Sequence, residues 1–309
     1  MASLSSAPET PTPAPNPKYQ PLNVSSRHLK MRQFKSKAFS VLCLSVTLLA
    51  FVLLGWIMWG ILSQGLPHLN SQFLTSFPSR FADKAGIKSA LYGSVWVLTI
   101  CAFFVVPVGI GAAIFLQEYA EDNKFARFIQ VNIANLAGVP SIVYGILGLA
   151  LFVRIFGFDR SVISGGLTLG LLVLPIVIIA AQEALRGVPN SLRHGSYALG
   201  ATKWQTIRRQ VLPVAIPGIL TGIILALSRA MGETAPLIMM GALTYVAFVP
   251  QKLTDGFTTL PIQVFNWTSR PQAEFQQIAA AGIIVLMVVL LSLNALAIFL
   301  RYRYSTSKR

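Results

Sequence analysis

Six long apolar stretches constrain this chain more than any other feature. They run at about 38–62, 89–116, 129–153, 162–182, 214–232 and 276–300. Each is near or above the roughly 20 residues a helix needs to cross the hydrocarbon core of a bilayer. Inside lipid every backbone N–H and C=O must be bonded within its own segment, so such stretches fold as helices. An all-α integral membrane domain of six transmembrane helices follows. Composition agrees, with 54% apolar and only 11% charged residues, where a soluble domain carries about 25% charged. The net charge of +15 does not point to nucleic acid, because the basic residues lie in tails and interhelical loops rather than along one face. Cys43 and Cys101 lie inside apolar stretches, and His28, His68 and His194 are isolated, so neither a disulfide framework nor a metal site is expected.

Residues 1–37 are rich in Pro, Ser and Thr and end in a basic cluster. A segment of that composition cannot bury a core and is expected as a disordered cytoplasmic tail. The transmembrane domain then occupies 38–305, with a short tail at 306–309. The apolar region of a secretory signal is only about 7–15 residues, so the first stretch is read as a retained span. Seventeen Lys and Arg residues fall in the two tails and in the loops at 117–128 and 183–213. Seven (Arg80, Lys84, Lys88, Arg154, Arg160, Lys252 and Arg270) fall in the other three loops. The positive-inside rule therefore places both termini and the 189–213 loop in the cytoplasm. Pro236–Val249 is apolar but too short to cross, and Pro236 and Gly241 interrupt it. It is read as a helix end followed by a re-entrant or outward-facing segment. Glu118, Glu121 and Asp122 are read as a solvated loop face.

The loop Pro189–Pro213, PNSLRHGSYALGATKWQTIRRQVLP, is polar and basic between two spans. Trp204 is a large aromatic anchor there, and with Thr202 and Ile207 around it suits a groove on a soluble partner. An ordinary solvated connection would tolerate the same residues. Their order, however, resembles the signature loop of ABC importer permeases: Glu-Ala-Ala, three residues, Gly, nine residues, Ile, one residue, Leu-Pro. Gly200 matches the glycine, and Leu212 and Pro213 close the pattern at the right distance. His194, Gly195 and Ser196 stand in place of Glu-Ala-Ala and Gln210 in place of Ile, so an ion pair made by that glutamate is not expected here. The resemblance implies ATPase contact through Gly200, Ala201, Thr202, Lys203, Trp204, Leu212 and Pro213.

Two charges fall inside the apolar zone. Arg229 and Glu233 lie four apart in SRAMGETAPL and share a helical face. Intramembrane charges face a bundle interior or a water-filled path. The pair can simply satisfy itself, or Arg229 can meet an anion while Glu233 holds it; an Arg fork suits an oxyanion by donating parallel hydrogen bonds. Spacing does not choose between these. In the third stretch, Gly138, Pro140 and Gly145 allow close approach or break regular helix, and Ser141 offers a hydroxyl to an oxyanion. Gly145 and Gly148 also suit plain helix packing.

Residues 229–237, together with NLAGVPSIVYG at 135–145 and ALGATKWQT at 198–206, resemble the phosphate branch of these permeases, of PstA type. The resemblance covers about residues 86–305. It implies a type I ABC importer permease (MetI-like) fold in the bacterial inner (plasma) membrane. It also implies a PstC-type permease partner, a PstB-type ATPase dimer that uses ATP and Mg, and a PstS-type binding protein that delivers inorganic phosphate. Arg229, Glu233, Ser141 and Gly138 would line the substrate path. No GxxxxGK[ST] motif occurs, so ATP hydrolysis is assigned to the partners and this chain is not expected to be an enzyme or to bind a cofactor. A permease for molybdate or sulfate is the alternative. An ion-coupled secondary transporter would use Arg229 and Glu233 as a relay, but it would need no docking loop, and no inverted repeat is visible. No Ser/His or paired-carboxylate constellation supports a membrane enzyme.

Overall fold

A computed structural model describes residues 26–120, 124–242 and 245–306 of the protein. Regular structure among them is helical, apart from one isolated antiparallel bridge between Ser161 and Gly256. Most of the expected N-terminal tail, and Glu121 and Asp122, lie outside the described residues. The tail's last part is not a tail: helix α1, Ser26–Gly65, already begins there. Two units are distinguished, up to Met58 and from Trp59 onward. The described part of the first unit is the body of α1, apolar on all sides from Phe39 to Ile57, the pattern of a helix that lipid or protein must cover.

In the second unit a short helix α2 (Ser71–Thr75) precedes a core built on α3 (Lys88–Ile114), α6 (Val162–Arg186) and α9 (Leu212–Gly232). Small residues set their spacing. On α9, Gly218 and Gly222 stand one turn apart opposite Ala184 and Ala180 of α6. A Cβ at Gly218 would lie 2.8 Å from that of Ala184, and one at Gly222 would overlap Ala180. Nearer the start of α6, a Cβ at Gly166 or Gly170 would meet Ile100 or Phe104 of α3 at 2.6 Å. Apolar burial gains nothing between helices already in lipid, so this close backbone approach is what brings them together.

Among the described residues five helices are long and apolar enough to span a membrane: Leu29–His68, Lys88–Tyr119, Val162–Arg186, Lys203–Gly232 and Ala273–Phe299. The stretch at 129–153 makes a sixth span when its broken halves are taken as one. It is a bent pair, α4 (Lys124–Ala137) and α5 (Ser141–Gly148, continued to Ile155), meeting at 102°. Pro140, extended at the start of α5, has no N–H to continue the ladder. The Tyr144 hydroxyl donates to the Leu136 carbonyl at 2.8 Å, satisfying one group left open by the bend.

A short helix α7 (Asn190–Ala198) follows α6, and α8 (Lys203–Thr206) leads into α9 through a wide π-helical turn at Ile207–Val211. After α9 comes α10 (Ala235–Met240), ended by Gly241 at φ +92° with the Arg160 side chain packed over it. It lies against α5, where Gly145 has no room for a Cβ beside Pro236. The loop at 250–259 closes one end of α6: Val162 and Ile163 N–H donate to the carbonyls of Asp255 and Leu253, and Phe257 is fully buried. Helices α11 (Leu260–Thr268) and α12 (Ala273–Thr306) complete the unit around a second apolar cluster that includes Trp267 and Phe275.

Candidate functional site

Helix α9 carries Arg229 in its last turn, and Glu233 is its capping residue, where the backbone turns extended ahead of Pro236. The two side chains meet through one long contact, Arg229 Nε to Glu233 Oε1 at 3.4 Å. The arginine is half exposed (50%) and the glutamate mostly buried (18%). Nη1 and Nη2 of Arg229 have no partner among the described residues, so most of the fork is free. Glu233 also borders a cavity of about 10 Å³ with Ser94 and Thr259, room for about one water. Ser94 Oγ accepts from the Leu260 N–H at 2.8 Å, and the buried Thr259 hydroxyl has no partner among the described residues. Residue spacing singled out neither hydroxyl, because both reach Glu233 only through tertiary packing.

Gly138 and Ser141 lie at the bend between α4 and α5. Among the described residues no hydrogen bond joins Ser141 to Arg229 or Glu233. The link is indirect: α5 packs on α10, which begins two residues after Glu233. Gly145 and Gly148 serve packing, against Pro236 and Thr168.

The Pro189–Pro213 loop is ordered as two short helices around Gly200, which takes φ +80°, a conformation that favours glycine. Thr202 and Gln205 form a capping box: the Thr202 hydroxyl accepts the Gln205 N–H at 3.3 Å, and the Gln205 side chain accepts the Thr202 N–H at 2.9 Å. The Ser196 and Thr206 hydroxyls are 2.9 Å apart and tie α7 to α8. Trp204 is 52% exposed, as an anchor for a partner requires. Ile207, placed beside it on sequence grounds, is instead fully buried, because the helix turns it toward the core. The exposed apolar companion is Leu199, at 89%. It stands at the rim of a cavity of about 530 Å³, bordered also by Leu192, Ser196, Gln205 and Arg209.

The expectation that Glu118 belongs to a solvated face is overturned. Glu118 lies in a π-helical continuation of α3 at Phe115–Tyr119, and its side chain is 6% exposed. It is paired with Arg193 of α7: Nη2 to Oε1 at 2.7 Å and Nε to Oε2 at 3.4 Å. Arg193 also donates to the carbonyls of Val188 (2.7 Å) and Leu185 (2.9 Å) and to Asn190 Oδ1 (3.1 Å), so all five N–H groups of its fork are used. Next to it, Lys203 Nζ lies 5.1 Å above the Tyr119 ring. The two charges are 75 residues apart, and no local pattern joins them. Among the described residues no group of three His, Cys, Asp or Glu is placed to hold a metal.

Residues 105–306 match the family model described as binding-protein-dependent transport system inner membrane component. The chain is 34% identical over 251 residues to the probable ABC transporter permease protein YqgI of Bacillus subtilis, covering 77% of this chain and 85% of that one. It is 36% identical over 234 residues to the phosphate transport system permease protein PstA 1 of Mycobacterium tuberculosis, covering 75% and 74%. Among solved structures it is similar to a bacterial ABC transporter involved in alginate import, with TM-score 0.64 at 15% identity over 89% of this chain and 99% of that one. It is also similar to the inward-facing MetNI methionine ABC transporter, with TM-score 0.58 at 16% identity over 70% and 94%. These likenesses establish the fold.

Proposed function

The chain belongs to the family of binding-protein-dependent transport inner membrane components, of the PstA kind, and from that premise we propose that it is the permease subunit of an ATP-driven importer of inorganic phosphate. It forms half of the translocation path beside a PstC-type permease. A PstB-type ATPase pair, using ATP and Mg, docks on its Pro189–Pro213 loop, and a PstS-type protein delivers phosphate. The observation that carries the reading is Arg229: a half-exposed guanidinium at the end of the core helix α9, with one long contact to Glu233 and the rest of its fork unengaged. A packing salt bridge would be closer and drier. Glu233 offsets the charge between transport events, and phosphate oxygens displace it by accepting two parallel hydrogen bonds. The loop's exposed Trp204 and Leu199 lie at the other end of the continuous helix Lys203–Gly232. At 1.5 Å per residue, Trp204 and Arg229 are about 38 Å apart, roughly the thickness of the membrane.

The test is phosphate uptake by the reconstituted complex. Arg229→Lys keeps the charge but loses the fork, so uptake should fall tenfold or more while the ATPase remains attached. Full uptake by Arg229→Ala/Glu233→Ala would sink the reading and leave a packing pair. The charge distribution also supports an orientation with both termini in the cytoplasm. A cysteine at Ser196 should then label only from the cytoplasmic side and one at Asp255 only from outside; labelling of both from one side would reverse that.

A further inference from the structure

We propose that Arg193 and Glu118 form a positioning joint that carries movement of the Pro189–Pro213 loop into α3. This rests on the reading that the loop receives the ATPase stroke. The covalent chain already ties the loop to α6 on one side, through Gly187–Pro189, and to α9 on the other, through the continuous helix from Lys203. Helix α3, the third helix of the core, has no such tie. Its only polar attachments to the loop among the described residues are Arg193 on Glu118 and Lys203 over Tyr119. Both come from the same short π-helical turn at the end of α3.

The geometry is that of a rigid link rather than a surface ion pair. One guanidinium grips the carboxylate with two nitrogens, holds the Leu185 and Val188 carbonyls where α6 ends, and also binds Asn190 on its own helix. Leu185 is in the last turn of α6, whose carbonyls lack partners further along the helix, and Val188 follows just past its cap, so the fork closes three helices at one point. The loop bends on both sides of α7, at Gly187–Pro189 and at Gly200. Without the joint, α7 could swing there and leave α3 behind. With it, a push on Trp204 and Leu199 moves α3, α6 and α9 together, and the close packing of α3 on α6 carries the shift along the core. The missing carboxylate at His194 in the loop thus has a counterpart on another helix, as an internal tie.

The experiment measures phosphate imported per ATP hydrolysed in the complete reconstituted complex, with radiolabelled inorganic phosphate. Arg193→Lys retains charge but not the five-donor fork, and Glu118→Gln retains shape but not charge. Each should lower the ratio at least threefold while the ATPase co-purifies and hydrolysis continues. Arg193→Lys/Glu118→Gln should lower it no further than either single change, because both ends belong to one link. Wild-type ratios in both single variants would overturn the joint, as would a double variant whose loss is the product of the two. Trp204→Ala and Leu199→Ser separate this from the loop reading. They should reduce ATPase co-purification itself; full binding and full transport in both would overturn the loop reading and the joint with it.

Discussion

Arg193 and Arg229 have the same side chain and opposite surroundings. Arg193 is buried at a helix junction with every donor engaged, and its carboxylate partner comes from another helix. Arg229 is half exposed, with one long contact to a glutamate four residues away on its own chain segment. A saturated guanidinium can only hold parts together, since a ligand would have to displace five hydrogen bonds to reach it. A guanidinium with a free fork can bind something that arrives. The difference separates a saturated charge from an available one where both sit in a basic, helical protein and composition treats them alike.

The comparison breaks most readily on stability. Removing Arg193 leaves Glu118 buried and unpaired, which costs about 3–5 kcal/mol. Removing Arg229 frees a partly solvated pair worth about 0–1 kcal/mol. Thermal unfolding of the purified complex in detergent should therefore show a large midpoint drop for Arg193→Ala and a small one for Arg229→Ala. Equal drops would erase the distinction. Transport should rank them differently: Arg229→Lys abolishes most uptake through lost substrate contact, whereas Arg193→Lys wastes ATP.

The smallest expected effect sharpens the scale from a third charged group. Asp255 accepts the Gln251 and Lys252 N–H groups at 2.8 and 2.9 Å. The Lys252 N–H first, then that of Gln251, hold its carboxyl below the ordinary carboxylate range. A carboxyl lowered by folding contributes stability above its unfolded value, and the contribution is lost as pH falls through the lowered one. Amide exchange protection at Gln251 and Lys252, corrected for the intrinsic rate at each pH, should hold at neutral pH and fall only below about pH 4, where carboxylates protonate. Loss of protection near neutrality would place the control elsewhere. Like Arg193 it is a satisfied charge, but an exposed one, so the loop loosens locally and the bundle stays folded.

Sequence by itself determined the membrane-helical class, the position of the apolar spans and the polar loop at Pro189–Pro213 between two of them. Each rests on short-range facts: an apolar run long enough for a bilayer, a Gly at one offset and a Leu-Pro at another. It also placed Arg229 and Glu233 on one face, because four residues make about one turn. Tertiary structure alone decided how the third stretch folds. Gly138 and Pro140 only permitted a break there, and the 102° bend is held by the Tyr144 hydroxyl and by α5 packing on α10. It also buried Ile207 and exposed Leu199, since the direction of a loop side chain depends on what the loop rests against. The largest difference is Glu118: a carboxylate beside two other acidic residues looks solvated until a guanidinium from a distant helix is set against it. Local pattern reports what a residue's neighbours in the chain can do, and burial and pairing are made by neighbours in space.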